Sequence, residues 1–309
     1  MATQSIESKK KHGKSSKEMR KKTKTCSFGT TIRENHDSSK FYNLNLLHNF
    51  KVEKKIRKVV PNEIHNKYIN TIFPKSSEMM IDIPDNSIHL MITSPPYNVG
   101  KEYDLDLSFL EYINFLKRVF METYRVLIPG GRVCINIANL GRKPYIPLNG
   151  FISKLLLDIG YLLRGEIIWN KTAGAVGGNC AWGSWKSAKN PVLRDQHEYI
   201  IIASKDTFGR KEKDLITTID KEQFLEYTRS IWTFSPESAK RIGHPAPFPI
   251  ELPSRCIQLY SFENDIILDP FMGSGTTAIA ALKTNRNFIG YEIDLNYIQL
   301  ANKRLSSQL

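Results

Sequence analysis

From about residue 61 the chain alternates short apolar runs with amphipathic stretches, the pattern of strands and helices in a parallel α/β sheet. Residues 87–93 (SIHLMIT) read as a buried strand that ends just before Pro95-Pro96. Over residues 107–127, Leu110, Ile113, Phe115, Leu116, Val119 and Phe120 fall near helical spacing, which predicts a long amphipathic helix. Pro129-Gly130-Gly131 stops it, and residues 133–137 form the next strand. A second helix over 146–159 ends near Gly160 and leads into a strand at 166–169; residues 197–203 (HEYIIIA) are another strand. Towards the C-terminus, helices at 249–260, 276–284 and 295–305 alternate with strands at 266–268 and 288–291. These six strands in mostly βα order predict one doubly wound, mostly parallel α/β domain over residues 59–309, expected to hold a seven-stranded sheet.

Two stretches break the alternation. Residues 172–195 are rich in Gly, Trp, Ser and Asn and read as a loop, while residues 204–229 are charged and weakly patterned. Charge then divides the chain. The 309 residues carry a net +13, but residues 1–58 hold 16 Lys/Arg and 5 Asp/Glu, a net of +11. Residues 59–309 hold 28 and 26, a net of +2. The expected organisation is thus a basic, flexible N-terminal arm on a nearly neutral body, because the alternating Lys, Ser and Gly of residues 9–24 cannot bury enough surface to offset chain entropy. Such an arm suits a polyanionic partner.

No apolar h-region follows the basic start and no run of about 18 apolar residues occurs, so neither a signal peptide nor a membrane span is expected. Cys26, Cys134, Cys180 and Cys256 lie far apart without CxxC pairing. That usage fits the reducing cytoplasm, with no structural metal and no disulfide framework expected.

Two strings carry candidate chemistry. Asp269-Pro270-Phe271-Met272-Gly273-Ser274-Gly275-Thr276-Thr277 follows a strand and opens a helix, so its glycines let the backbone approach a ligand and the helix start offers free N–H groups. No Lys follows the last glycine, which disfavours a nucleotide-phosphate loop. The next strand ends at Glu292, placed to grip the hydroxyls of a ribose, with Asp294 better suited to opening the following helix. The second string is Thr93-Ser94-Pro95-Pro96-Tyr97-Asn98. Its consecutive prolines fix an extended backbone without N–H donors, and with Ser94 before them and Tyr97 after, the turn can hold a planar, amine-bearing base.

These two strings resemble the cofactor loop and the catalytic loop of the amino-group DNA methyltransferases, in the order found in the beta group of that family. Residues 125–132, 190–195, 197–199 and 244–249 extend the likeness, which runs from about residue 62 to 305. The resemblance implies an S-adenosylmethionine-dependent enzyme of Rossmann-like fold acting on double-stranded DNA, in which the base is flipped out. Ser94, Pro95, Pro96 and Tyr97 would be catalytic. Asp269, Phe271, Gly273, Ser274, Gly275 and Thr276 would surround the methionine part of the cofactor, and Glu292 the ribose. His244 would lie beside the methionine end. Ser94 in front of Pro-Pro-Tyr is similar to members that methylate the N4 of cytosine, where adenine-N6 members more often carry Asp or Asn. Cytosine-C5 chemistry needs a thiolate, usually after a proline, and none of the four cysteines follows one.

The implied partners are DNA and a cognate restriction endonuclease, with adenine-N6 methylation of DNA, methylation of RNA or protein amines, and a non-catalytic DNA-binding module as alternatives. Where many members carry Gly-Asp, this chain has Pro74-Lys75, so no adenine contact is assigned there. DNA-recognition loops are expected at about 172–195, with Trp182, Trp185, Lys186, Lys189 and Arg194, and at 204–235.

Overall fold

The computed structural model describes residues 44–47, 54, 60–97, 107–141, 143–172, 183–237 and 248–308. Residues 1–51 and 52–309 form separate units, and of the first the structure describes the single 3-10 turn Asn45–Leu47. The basic arm expected over 1–58 lies almost wholly outside the described residues. Lys54 belongs to the second unit, where its N–H donates to Asp206 O at 2.9 Å and its ammonium pairs with the Asp206 carboxylate at 2.5 Å.

The strands of the second unit are β1 (Thr71–Phe73), β2 (Ile88–Thr93), β3 (Leu127–Ile137), β4 (Leu162–Asn170), β5 (His197–Ser204), β6 (Ile231–Thr233), β7 (Ile266–Asp269) and β8 (Asn287–Tyr291). Its helices are α1 (Phe109–Val126), α2 (Leu148–Ile159), α3 (Lys221–Tyr227), α4 (Glu251–Tyr260), α5 (Thr276–Lys283) and α6 (Leu295–Gln308). One sheet holds all eight strands in the order β1-β8-β7-β2-β3-β5-β4-β6, and β5 alone runs against the others. The mostly parallel α/β fold matches the sequence pattern, with eight strands among the described residues where a seven-stranded sheet was expected and six strands were placed. The three-residue strands β1 and β6 are too short to leave a periodic signal.

The sheet separates two apolar layers because strand side chains alternate faces. Met91, Ile135, Ile201, Leu268 and Ile289 pack with α1 and α2, while Leu90, Ile92, Cys134, Ile200, Ile267 and Phe288 pack with α4 and α5. Helix α1 starts at a capping box formed by Ser108 and Glu111. It buries Tyr112, Leu116, Val119, Phe120, Thr123 and Val126, whereas Leu110 is 69% exposed because this stripe sets the helical phase.

Pro129-Gly130-Gly131 does not end the helix, as the sequence suggested; α1 stops at Val126 and the three residues lie inside β3. Gly130 adopts φ 82°, and a Cβ there would sit 2.6 Å from Gly209 O, so a strand carrying this excursion needs glycine. Lys205 seals the junction, donating from Nζ to Arg125 O, Leu127 O and Asn86 Oδ1 at 3.1, 2.6 and 2.8 Å.

Connections leave β2 and β7 in opposite directions along the sheet: β2 leads through α1 to β3, and β7 through α5 to β8. The crevice between their C-terminal ends is therefore a topological switch point, the place where open α/β sheets take ligands.

Candidate active site

Both strings meet at that crevice. Thr93 ends β2 and Asp269 ends β7, and Thr93 Oγ1 donates to Asp269 Oδ1 at 2.6 Å. The same carboxylate accepts from Thr277 Oγ1 at 2.6 Å and from the Phe271 N–H at 3.0 Å. Asp269 is buried, and that burial, which the neutral donors offset in part, raises its pKa to about 6.

The cofactor loop is held from three sides. Met272 N–H donates to Tyr291 O at 2.9 Å, and Gly273 N–H donates to Glu292 Oε2 at 2.8 Å. Gly275 takes φ 80°, and a Cβ on it would come within 2.9 Å of Ala301 Cβ, so α6 packs against the turn with no room for a side chain. Arg304, also on α6, is buried and donates from Nη1 to Ser274 O at 2.5 Å, Ser274 Oγ at 2.9 Å and Thr276 Oγ1 at 3.2 Å. No side chain caps the start of α5, which leaves its first-turn N–H groups directed into the crevice mouth. Phe271 is half-buried with its ring 5.7 Å from that of Phe115.

Glu292 reaches the position expected of it, at the end of β8, and adds a role that spacing did not reveal. Its Oε1 accepts the N–H groups of Ile293 and Asp294, both at 2.9 Å, while Oε2 takes Gly273. A carboxylate has about four acceptor sites, so capacity for a ligand hydroxyl remains. Asp294 opens α6, accepting from Asn296 N–H at 2.7 Å, as its sequence position suggested. Beside Glu292, Phe73 stacks on Tyr291 at 5.0 Å, and Lys75 forms an ion pair with Asp82.

Across the crevice, Pro95 is buried, and Ser94, Pro96 and Tyr97 are half-buried. Ser94 Oγ lies 3.4 Å from Tyr97 Oη, a long contact that engages the hydroxyl only lightly. Burial, with the nearby Glu198 carboxylate, pushes the Tyr97 phenol well above its ordinary pKa, so the ring stays neutral. Asn98 lies outside the described residues, as do His244 and Trp182.

Sequence reasoning missed a polar bridge next to this loop. Glu198 on β5 accepts from Asn136 Nδ2 on β3 at 2.6 Å and from Lys171 Nζ after β4 at 2.8 Å, tying three strand ends beside Tyr97. It missed Arg304 too. Glu198 falls within the stretch 197–199 but its spacing gave it no role, Arg304 belongs to no string, and their partners lie 27 to 62 residues away in sequence.

The two expected recognition segments leave the sheet at opposite edges, although the second returns along β6, where Thr233 pairs with Asn170. Residues 172–195 join the end of β4 to the start of β5 and so border the catalytic loop. Within them a tight turn is pinned by Ser184 N–H to Asn190 O at 2.9 Å and Asn190 N–H to Ser184 Oγ at 2.8 Å, and it presents Trp185 at 63% exposure with Lys186 5.7 Å from its ring. Because β5 is antiparallel, residues 204–214 start from the opposite edge, where Ser204 pairs with Arg132 and Arg210 pairs with Asp265.

A DNA methylase family profile, of the N6/N4 type, matches residues 88–303. The chain belongs to the N6/N4 DNA methylase family. Type II methyltransferase M.MthZI of Methanothermobacter thermautotrophicus is 31% identical over 279 residues, covering 79% of this chain and 78% of that protein. M.HpaI of Haemophilus parainfluenzae is 33% identical over 246 residues, covering 74% and 71%. Among solved structures, a DNA modification methylase of Thermus thermophilus, complexed with S-adenosyl-L-methionine, superposes with a TM-score of 0.63 at 29% identity, covering 77% of this chain and 94% of that one. The cytosine-N4-specific PvuII DNA methyltransferase shares the fold, with a TM-score of 0.60 at 19% identity over 76% and 85% of the two chains. The protein is thus a site-specific DNA methyltransferase of the type II restriction-modification kind that uses S-adenosylmethionine. Among the described residues, no helix of this methyltransferase is long and apolar enough to cross a membrane.

Proposed function

We propose that the methyltransferase modifies the exocyclic N4 of cytosine in duplex DNA and protects that DNA from a cognate restriction endonuclease. The observation that carries the choice of base is Ser94: a neutral, half-buried and lightly engaged hydroxyl opens the catalytic loop, in place of a carboxylate or amide.

A cytosine amine is a poor nucleophile because its lone pair is delocalised into the ring. Ser94 Oγ and the Pro95 carbonyl accept its two N–H bonds, which favours a pyramidal nitrogen and exposes the lone pair. Pro96 has no N–H to compete for that carbonyl and holds the backbone extended. Tyr97, neutral and packed on the core, offers its face to the flipped base; extrusion from the duplex costs a few kcal/mol, which stacking offsets. On the other side, Asp269, Phe271, Gly273, Ser274, Gly275 and Thr276 surround the methionine part of the cofactor, and Glu292 takes the ribose hydroxyls. The uncapped start of α5 and the spare acceptor capacity of Glu292 support that fit. When bound, S-adenosylmethionine supplies an electrophilic methyl group on a sulfonium, so no nucleophile from the protein is required. What the chain contributes is placement, which is worth roughly 7–11 kcal/mol in well-oriented reactions.

DNA is gripped by the loop at 172–195, which carries Trp185, Lys186, Lys189 and Arg194 between the end of β4 and the start of β5, with the basic residues of 1–58 adding non-specific phosphate affinity. Residues 204–229 carry six Lys/Arg and six Asp/Glu and start from the far edge, which argues for a structural role instead. Incubation with unmethylated bacteriophage DNA and methyl-labelled cofactor, followed by nucleoside separation, tests the reading. Label in N4-methyldeoxycytidine is expected, and label in N6-methyldeoxyadenosine would transfer Ser94 to the adenine chemistry.

A further inference from the structure

The crevice mouth contains a connection that neither loop's own role requires. Backbone pairing between β2 and β7 runs through Leu90 with Ile267 and Met91 with Leu268, and past those residues the strands diverge into the catalytic and cofactor loops. There the Thr93 hydroxyl reaches across to Asp269 at 2.6 Å, with both residues buried. The same carboxylate holds the two ends of the cofactor loop, the Phe271 N–H and the Thr277 hydroxyl. Thr93 is β-branched, so its hydroxyl direction is set by few rotamers and follows the strand end that carries Ser94.

We propose that Thr93 is a positioning residue that registers the catalytic loop against the cofactor loop through Asp269, so that cofactor affinity and turnover are set by one shared strut. It rests on the roles assigned above to the two loops, but not on which base is methylated. A strut of this kind works in both directions. Loss of the Thr93 donor loosens the carboxylate that shapes the cofactor loop, although Thr93 itself touches no part of that loop's backbone in the bonds described.

The groups facing Asp269 are Thr93 on β2, Phe271 N–H in the loop, Thr277 on α5 and, through space, the Glu292 carboxylate after β8. None of these is cationic, so the two Thr hydroxyls and the Phe271 N–H are what favour the ionised form, and removing one hydroxyl moves titration of Asp269 to higher pH. A protonated Asp269 gives up acceptor capacity towards both loops at once.

The test uses the full chain. Equilibrium binding of S-adenosylmethionine alone is measured for wild type, Thr93→Val and Thr93→Ser, together with turnover on bulk bacteriophage DNA at saturating cofactor across pH 5–8. For Thr93→Val we expect cofactor affinity and turnover each to fall about tenfold, as for loss of a bond to a charged acceptor. The acidic limb should move to higher pH, and Thr93→Ser should restore all three within about twofold. Wild-type cofactor affinity and an unmoved acidic limb in Thr93→Val overturn the proposal, even if turnover drops. Should Thr93→Val fail to fold, wild type still decides: cofactor affinity and saturated turnover must share one acidic limb, and separate limbs, or an affinity flat through pH 6, reject it. The binding measurements need no DNA, so they stand whichever base is methylated.

Discussion

The two edges of the sheet treat their carboxylates differently. At the far edge four of them are given a cation: Asp265 pairs with Arg210, Asp85 and Glu122 with Arg125, and Asp206 with Lys54. The Arg125 guanidinium holds Glu122 below the usual carboxylate range. At the edge that carries the site, Asp269 is buried among neutral donors and Glu292 accepts backbone N–H groups. Glu198, with its Lys171 partner, keeps the far-edge habit two strands beyond the crevice. Full charge compensation stabilises a fold, while groups that must receive a ligand are left with unspent capacity. The difference marks which acidic residues work and which hold the molecule together.

Substitutions on the two edges should therefore separate stability from function. The largest effect is expected at the far edge: Arg210→Met leaves the buried Asp265 with only the Phe262 N–H and the His89 ring as partners and should cost about 3–5 kcal/mol of unfolding free energy in urea titration, with cofactor affinity of the folded protein within about twofold of wild type. Next, Ser94→Ala should lower turnover about a hundredfold, or about 3 kcal/mol, in a filter-binding methylation assay, and calorimetry should find cofactor binding intact. A loss of cofactor binding instead would move Ser94 to the other half of the site. Glu292→Gln should weaken cofactor binding about tenfold with turnover at saturation nearly unchanged. The smallest effect belongs to neither edge. Deleting residues 1–24 removes nine Lys/Arg, and DNA affinity should fall severalfold at about 50 mM salt with a flatter salt slope; an unchanged slope denies the arm a role in DNA binding.

Periodicity revealed helices α1, α2, α4, α5 and α6 and strands β2, β5, β7 and β8 to within a few residues, because each is long or fully buried. It could not reveal β1 and β6, at three residues each, or the first half of β3, where Pro-Gly-Gly reads as a stop but serves as an excursion within a strand. The direction of β5 leaves no mark in a hydrophobic run, so the sequence did not reveal that the segment expected at 204–235 starts from the other edge and returns along β6. For the site itself, both loops were legible because their chemistry is local: glycines, prolines and a Ser at fixed spacing. Thr93 and Thr277 sat unassigned inside those strings, and Arg304 and the Glu198 bridge outside them. Their roles are defined by partners that only the folded sheet brings close.

Asp269 concentrates the contrast, and replacing it with Asn gives two readouts of opposite sign. An Asp whose folded pKa rises from 3.8 to about 6 confers stability that is present below the unfolded value and lost as pH climbs through 6. At pH 7–8 the ionised group therefore costs the fold up to about 3 kcal/mol. Asp269→Asn should accordingly match or exceed wild type in urea midpoint at pH 8, with the margin shrinking towards pH 5. Its cofactor affinity, measured by calorimetry at pH 8, should fall by more than about tenfold. A variant that binds the cofactor as wild type does, or that loses stability and affinity together at pH 8, would contradict the view of Asp269 as a charge kept uncompensated for the sake of the site.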